Sequence, residues 1–465
     1  MRNFHSMFLG LALALMSACA VGPNYRRPGV EPVNAYKELD DWKPSSPADA
    51  IERGKWWNIF ADDELDQLES QVDISNQNVR AAVDAYDQAR ALVQQSQAGF
   101  WPSINATASR QRSNQFPGGK VPKITDSAGI SGSWDIDVWG QLRRTLENSK
   151  TSAQASAAAL AAARLSAQVM LALDYFQLRA QDQLQRLLDD TVAAQQRSLQ
   201  ITQSRYHYGV AAKADVVTAQ TQLLSSQASQ INAKIQRAVL EHAIAVLIGH
   251  QPGNFSVAPA GMRSDVPTVP AGVPSTLLER RPDVAEAERK VAAANAEIGV
   301  AMTAFFPSLT LTGSDSFVGS SISHLIATPN RIWSFGPQLA MAMFDGGLRR
   351  AEVAQARAAY GITVDNYRQT VLAAFQQVED QIATLRILQD QAGVEDEAVK
   401  AAKEAEKLTL DQYKAGTVPY SSVIAAQTTT FSSEQTALTV LLNRLQASIN
   451  LISALGGGWS TSDLP

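Results

Sequence analysis

The apolar positions along this chain keep one of two periods, and the switch between them marks out its elements. Residues 63–98 carry Ala, Gln and spaced Leu and Val with no Pro or Gly, which predicts a helix. Residues 141–205 and 348–413 predict much longer ones. In the second of these, Val371, Phe375, Val378, Ile382 and Leu385 step by four and three in alternation, a heptad-like seam. Leu165, Val169, Ala172 and Phe176 repeat that stepping in the first. At about 1.5 Å per residue each helix reaches roughly 100 Å. No compact core buries a helix of that length, so it must pack against other long helices. The alanine run "AQASAAALAAA" at 153–163 fits either close helix contact or plain helix propensity. The helices stop at "YHYGVAA" and "YKAGTVPY", with Gly209 and Gly416 at the stop positions. The chain then returns along 213–248 and 420–455.

Elsewhere the period falls to two. "ISGSWDIDVW" at 130–139 puts Ile130, Gly132, Trp134, Ile136 and Val138 on one face, and Ser131, Ser133, Asp135 and Asp137 on the other. "WSFGPQLAMAM" at 333–343 gathers Trp333, Phe335, Leu339, Met341 and Met343 on one face. "SINATAS" and "SLTLTGS" predict shorter partner strands, and each pair brackets a polar loop, about 110–127 and about 315–331. A soluble sheet needs a cover for its apolar face, and the flanking helices are too long to fold back as one. Lipid on the apolar face and water on the polar face fit the pattern, and the strand lengths suit a tilted span of about nine to eleven residues. Four strands cannot close a barrel, and open strand edges are not tolerated in hydrocarbon. Several copies must then share one barrel, of about eight strands from two chains or twelve from three. The arithmetic leaves both open. After the N-terminus no segment offers about twenty consecutive apolar residues.

The chain is also written twice. "GFWPSINATAS" at 99–109 matches "AFFPSLTLTGS" at 304–314, and "VWGQLRR" at 138–144 matches "FDGGLRR" at 344–350. "YHYGVAAKADVVTAQ" at 206–220 matches "YKAGTVPYSSVIAAQ" at 413–427, and Gly249 matches Gly456. A constant offset over such a length implies duplication of a large unit. The expected organisation is a signal peptide at 1–18, an N-terminal segment at 19–62, repeat 1 at 63–249, a Pro/Gly-rich connector at 250–275, repeat 2 at 276–456 and a tail at 457–465. Repeat 1 would hold a helix, a strand pair at about 102–139 and a helical hairpin at 140–249; repeat 2 a helix, a strand pair at about 307–344 and a hairpin at 346–455.

Composition changes the picture at one point. The 465 residues carry a formal net charge of −5 and no basic footprint, so nucleic acid is not an expected partner. A single cysteine excludes an internal disulfide and a cysteine-rich metal site. That residue, Cys19, follows a secretory signal in which Arg2 supplies the charge, "MFLGLALALM" the apolar run, and Ser17 and Ala18 the small residues. "LMSAC" resembles a bacterial lipobox. Cleavage before Cys19 would leave it carrying S-diacylglycerol and an N-acyl chain. In the lipoproteins this resembles, Ala20 at the next position favours transport to the outer membrane.

These residues together resemble the TolC-like outer-membrane factors, most closely their lipoprotein branch of OprM- and NodT-like proteins. The markers are "CAVGPNYRRP" at 19–28, "WWNIFADDELDQL" at 56–68 and "VPSTLLERRPDVAEAERKV" at 273–291, and the similarity runs over essentially the whole mature chain. The resemblance implies a mainly α fold with membrane β-strands. It implies a homotrimer with a shared twelve-stranded barrel and a long α-helical coiled-coil periplasmic barrel. It further implies a lipid-anchored place in the outer membrane of a Gram-negative bacterium and no cofactor beyond the lipid on Cys19. The function implied is a passive exit duct, joined through a periplasmic adaptor to an inner-membrane pump of the resistance-nodulation-division type. The two helix turns would be the periplasmic tips that meet the adaptor. Arg205, Tyr206, Gly209, Val210, Asp215 and Val216 match the family pattern on the first tip, and Tyr413, Gly416, Thr417 and Val423 on the second. Family members bond the tip aspartate to the tip tyrosine, here Asp215 and Tyr413, as part of a closed gate. Charged positions that others carry on the second tip are Val418, Ser422 and Ala425 here.

Enzyme chemistry finds no foothold. His5 leaves with the signal, and His207, His242, His250 and His324 fall in unrelated elements. No nucleophile elbow, P-loop or dinucleotide fingerprint occurs. Asp62, Asp63 and Glu64 read as acidic residues opening a helix, and "GSDS" at 313–316 as surface. A periplasmic adaptor or structural coiled-coil lipoprotein would share the signal and the helices. It would have one hairpin flanked by small β domains, where this chain has two hairpins, each preceded by a strand pair.

Overall fold

The computed structural model describes residues 20–29, 37, 55–114, 122–269 and 280–459. Cys19, the signal and the C-terminal residues 460–465 lie outside the described residues. The elements run α1 (Asp63–Ser75), α2 (Gln77–Ala98), β1 (Ser103–Ser113), β2 (Lys123–Asp135), α3 (Gln141–His207), α4 (Lys213–Leu247), α5 (Pro282–Thr303), β3 (Ser308–Gly319), β4 (Arg331–Ala340), α6 (Leu348–Ala415) and α7 (Tyr420–Ala454).

The helix expected over 63–98 is divided. Asn76 takes an extended conformation between α1 and α2, and its side chain accepts from the Asn78 and Val79 amides. It also donates to Leu247 O at 2.8 Å. A side chain that caps the next helix and ties the end of α4 outweighs helix continuity. Asp62 caps α1 in the same manner, accepting from Glu64 N and Leu65 N, and the Tyr175 hydroxyl donates to it.

The described residues form two compact units, and these are not the two repeats. One unit comprises Asp84–Ala157 and Glu286–Gln369 with the described part of Met1–Val30. The other comprises Ala158–Ala285 and Thr370–Pro465 with the described part of Glu31–Val83. Each repeat contributes to both, because β1–β2 of the first pairs with β3–β4 of the second. A duplicated two-strand piece has too little sheet to stand alone.

The first unit holds one antiparallel sheet in the order β1-β2-β3-β4. The strands run further than alternation alone suggests. β1 pairs with β2 out to Ser113↔Lys123, and β2 with β3 out to Asp126↔Gly319, through residues that read as loop. At the other end β2 stops at Asp135 and β4 at Ala340, so Ile136, Val138, Met341 and Met343 fall outside the strands. The segment Ala20–Gly29 is fastened to this unit. Val21 N donates to Trp139 O at 3.0 Å, and Arg144 donates to the Val21 and Gly22 carbonyls. Asn295 donates to Pro23 O, and Arg27 to the Tyr367 hydroxyl.

The second unit is helical. Trp56, Trp57 and Phe60 of the "WWNIF" motif are buried, with Phe60 5.0 Å from the Phe176 ring and Trp56 Nε1 donating to Gln168. The heptad positions Val371, Val378, Ile382 and Leu385 are buried as the stepping predicts. Along α3, Ala158 of this unit and Ala153 and Ala155 of the first unit are buried, so part of the alanine run serves close contact. Among the described residues α3 is the one helix long and apolar enough by composition to cross a membrane. Gly249 and Gly456, equivalent in the repeats, both have positive φ; a Cβ would lie 2.3 Å from Ser75 O and 1.9 Å from Arg280 O respectively. Each lets a hairpin end press on backbone. Of the connector, 250–269 is extended chain with one short turn at Pro252–Asn254. It is pinned by Arg179, Arg237 and Glu241, which bond Ala258 O, Val257 O and Val257 N.

Candidate functional site

No group of three or more His, Cys, Asp or Glu residues able to hold a metal occurs among the described residues. The candidate functional surfaces are the sheet and, separately, the two helix turns.

Residues opposite each other in an antiparallel pair share a face. The register therefore sorts the sheet into two surfaces. One carries Ser103, Asn105 and Thr107 of β1, Ser131 and Ser133 of β2, and Thr310, Thr312 and Ser314 of β3. Hydroxyls cross-link it, Ser109 to Ser127 at 2.8 Å and Ser314 to Ser334 at 2.9 Å. The opposite face carries Ile104, Ile130, Trp134, Leu311, Trp333, Phe335 and Leu339. Nearly all of these are exposed in the single chain, Trp333 and Phe335 by 70% and 72%. Near the helix-side ends of the strands, Trp134 Nε1 donates to Phe100 O and Trp139 Nε1 to Pro307 O, while the Trp139 ring stacks on Phe306 at 4.7 Å. Amphipathic rings at a strand end, beside an apolar band, are the pattern of a membrane interface. A sheet with one wet face and one greasy face, both uncovered, can line a water-filled pore through lipid.

The turns share one backbone. Gly209 and Gly416 have φ of 72° and 81°. Gly209 N donates to Tyr206 O and Val210 N to Arg205 O; Gly416 N donates to Tyr413 O and Thr417 N to Gln412 O. These are Schellman caps, which need a residue at positive φ and so favour glycine. Thr417 Oγ1 adds a bond to Gln412 O.

Their side chains are placed differently. Tyr413, Tyr420, Val423 and Ala219 form a buried cluster, with Leu199, Ile201, Leu410, Val418 and Ile424 packed around it. The Tyr413 and Tyr420 rings lie 5.3 Å apart. Burial, with Tyr413 beside it, pushes the Tyr420 hydroxyl up to about 12. The Arg205 guanidinium sits 4.8 Å from the Tyr413 ring centre, and its Nη1 donates to Lys414 O at 2.9 Å. Thus Arg205 of the first turn clasps the second. Tyr206 and Val210 are exposed.

The Asp215–Tyr413 hydrogen bond that the resemblance implies is not made within this chain. The Tyr413 hydroxyl donates to Thr202 Oγ1 at 3.2 Å, and Thr202 donates on to Ser198 O. Asp215 opens α4, with its amide bonded to Ala212 O. The reason is packing: the ring is drawn into the apolar cluster, and its hydroxyl meets the nearest polar group on α3. Sequence reasoning missed Thr202 and Tyr420. The spacing of Tyr413, Tyr420, Val423 and Gln427, all buried, is the signal that would have found Tyr420.

The family model for outer membrane efflux proteins matches residues 68–250 and 273–457. The chain is 29% identical over 463 residues to the toluene efflux pump outer membrane protein TtgC of Pseudomonas putida, covering 97% of this chain and 95% of that one. It is 30% identical over 465 residues to the pyoverdine export outer membrane protein OpmQ of Pseudomonas aeruginosa, covering 97% and 96%. Its structure matches that of the outer-membrane channel OprN with a TM-score of 0.87 at 28% identity, covering 95% of this chain and all of that one. The polar-and-apolar sheet, the paired helical hairpins and these matches agree: the chain belongs to the outer membrane efflux protein family and has the TolC-like fold of an outer-membrane efflux channel.

Proposed function

We propose that three copies of this chain close one twelve-stranded barrel and act as the passive exit duct of a tripartite pump, which would be of the resistance-nodulation-division type. The observation that carries this is the sheet: both faces are uncovered, and β1 and β4 each have one unpaired edge in the single chain. Such edges need partners in hydrocarbon, and copies of the same sheet supply them. Exposed apolar residues at spacings of seven or fourteen add support, Val217, Leu224 and Ile231 on α4, and Ile387, Val394 and Leu408 on α6. The duct does no chemistry; energy and selection come from an adaptor and an inner-membrane pump. The relatives' names pair toluene with pyoverdine, two unlike cargoes, which suits a wide water-filled path. The test is planar-bilayer conductance together with heat-modifiable migration in gels. A non-conducting protein extracted by carbonate overturns the channel and favours an adaptor-like lipoprotein.

Cys19 is the lipid attachment site in this reading. Val21 is bonded to Trp139, four residues past the end of β2, which would hold an acylated Cys19 beside the barrel's helix-side rim. The barrel is then the main anchor. Cys19→Ser, exported by a non-lipoprotein signal, should still form conducting trimers but take up no labelled palmitate. The exposed tip residues Tyr206, Gly209 and Val210 would meet the adaptor, and the Arg205–Tyr413 clasp would help hold the entrance shut.

A further inference from the structure

The apolar face of the sheet carries its arginines at one end only. The register places Arg110, Arg112, Asp126, Asp315 and Arg331 on the same face as Ile104, Ile130 and Trp333. Arg110, Arg112, Asp126 and Arg331 lie toward the loops that join β1 to β2 and β3 to β4, the ends opposite the helices, while Asp315 stands in register with Ile130 and Trp333 and reaches Arg331 from there. In a family whose helices extend into the periplasm, those ends face the exterior. A charged side chain on a lipid-facing barrel surface is costly at mid-membrane and tolerated at the interface. The position of the arginines thus marks the outer headgroup level.

The two aspartates hold two of the arginines against the sheet. Arg110 Nε lies 3.2 Å from Oδ1 of the buried Asp126. Arg331 grips Asp315 with both Nε and Nη2, at 2.9 and 2.7 Å. These pairs leave guanidinium N–H groups free on each arginine, and both side chains are more than half exposed. Arg112 is exposed, and no acidic side chain pairs with it among the described residues. Three arginines against two aspartates leave an excess positive charge on a surface that touches lipid. Guanidinium forks match phosphate oxygens in pairs, which fixed arginines exploit best.

We propose that Arg112, with Arg110 and Arg331 beside it, binds the phosphate groups of an outer-leaflet phosphorylated glycolipid. The acyl chains of that lipid would lie along the apolar band formed by Ile130, Trp333 and Phe335. The aspartates act as positioning residues that fix the depth and direction of the arginines. This rests on the sheet crossing the outer membrane, a reading that conductance tests separately.

Purified detergent-solubilised protein is incubated with bisphosphorylated lipid A, the same lipid dephosphorylated, or phosphatidylethanolamine, and the retained lipid is measured by native mass spectrometry. The wild type should retain bisphosphorylated lipid A at least tenfold better than either other lipid, and millimolar inorganic phosphate should not displace it. Arg112→Gln should weaken retention about tenfold. The paired change Arg110→Gln with Asp126→Asn, which avoids stranding a buried carboxylate, should weaken it further. Lys123→Gln, on the polar face, should change nothing. Channels that conduct normally but show no preference among the lipids, or Arg112→Gln channels with undiminished retention, overturn the proposal without touching the channel reading.

Discussion

Tyr206 and Tyr413 occupy equivalent places in the two helix turns, yet the first is 46% exposed and the second 3%. Seven residues on, Lys213 is exposed where Tyr420 is 1% exposed. The backbones meanwhile share their main bonds, from the glycine at positive φ to the amides of Asp215 and Ser422 returning to Ala212 O and Pro419 O. Duplication kept the turn and changed what surrounds it. The second turn became the packed partner, filled by two tyrosines and a valine. The first became the free one, presenting Tyr206, Tyr208 and Val210 outward and lending Arg205 to cover Tyr413. An exposed turn and a packed one are thus separated on one repeated scaffold.

Substitutions at matched positions should expose that division. Tyr420→Ala removes a buried aromatic and should cost about 3–5 kcal/mol of local stability. Lys213→Ala, its counterpart, should stay within about 0.5 kcal/mol. Hydrogen exchange of the turn amides measures both, and equal effects would erase the contrast. Arg205→Ala loses the stacking on Tyr413 and the bond to Lys414 O, together about 1–2 kcal/mol, and should raise the open fraction in single-channel recordings. Arg205→Lys should restore it only in part, since a point charge cannot lie flat on the ring. Tyr413→Phe deletes the hydroxyl donated to Thr202, a loss of about 0.5–1.5 kcal/mol. Thr202→Val should cost about the same, and the double variant should cost less than the sum. Asp215→Ala is the smallest: at most about 0.3–1 kcal/mol from the helix terminus, with conductance unchanged. A conductance rise as large as that of Arg205→Ala would show that Asp215 closes the entrance by a contact outside the single chain.

Much of the architecture was legible because it rests on long, regular periods. The heptad seam of α6 and the constant repeat offset announce stacked long helices. The sheet was legible only in its middle. Arg110, Arg112, Asp126, Asp315 and Arg331 interrupt the apolar alternation, so their segments read as loop. Cross-strand pairing keeps them in the strands, and the ion pairs hold two of the arginines in place. Asn76 reads as an ordinary helix position until its bond to Leu247 O appears. The same holds for the pair that the resemblance implies. Asp215 and Tyr413 are both present, but presence does not fix the direction of a tyrosine hydroxyl.

The sequence by itself determined the turns, the helix lengths and the two-faced strands. Each follows from neighbours a few residues apart: a glycine free to take positive φ, an i to i−5 bond, an alternation that the pleat converts into faces. Tertiary structure alone decided which tyrosine is buried, where its hydroxyl points, and which charges share the apolar face of the sheet. Those depend on contacts between residues far apart in the chain, such as Tyr413 with Thr202, 211 positions away, and local chemistry carries no record of them.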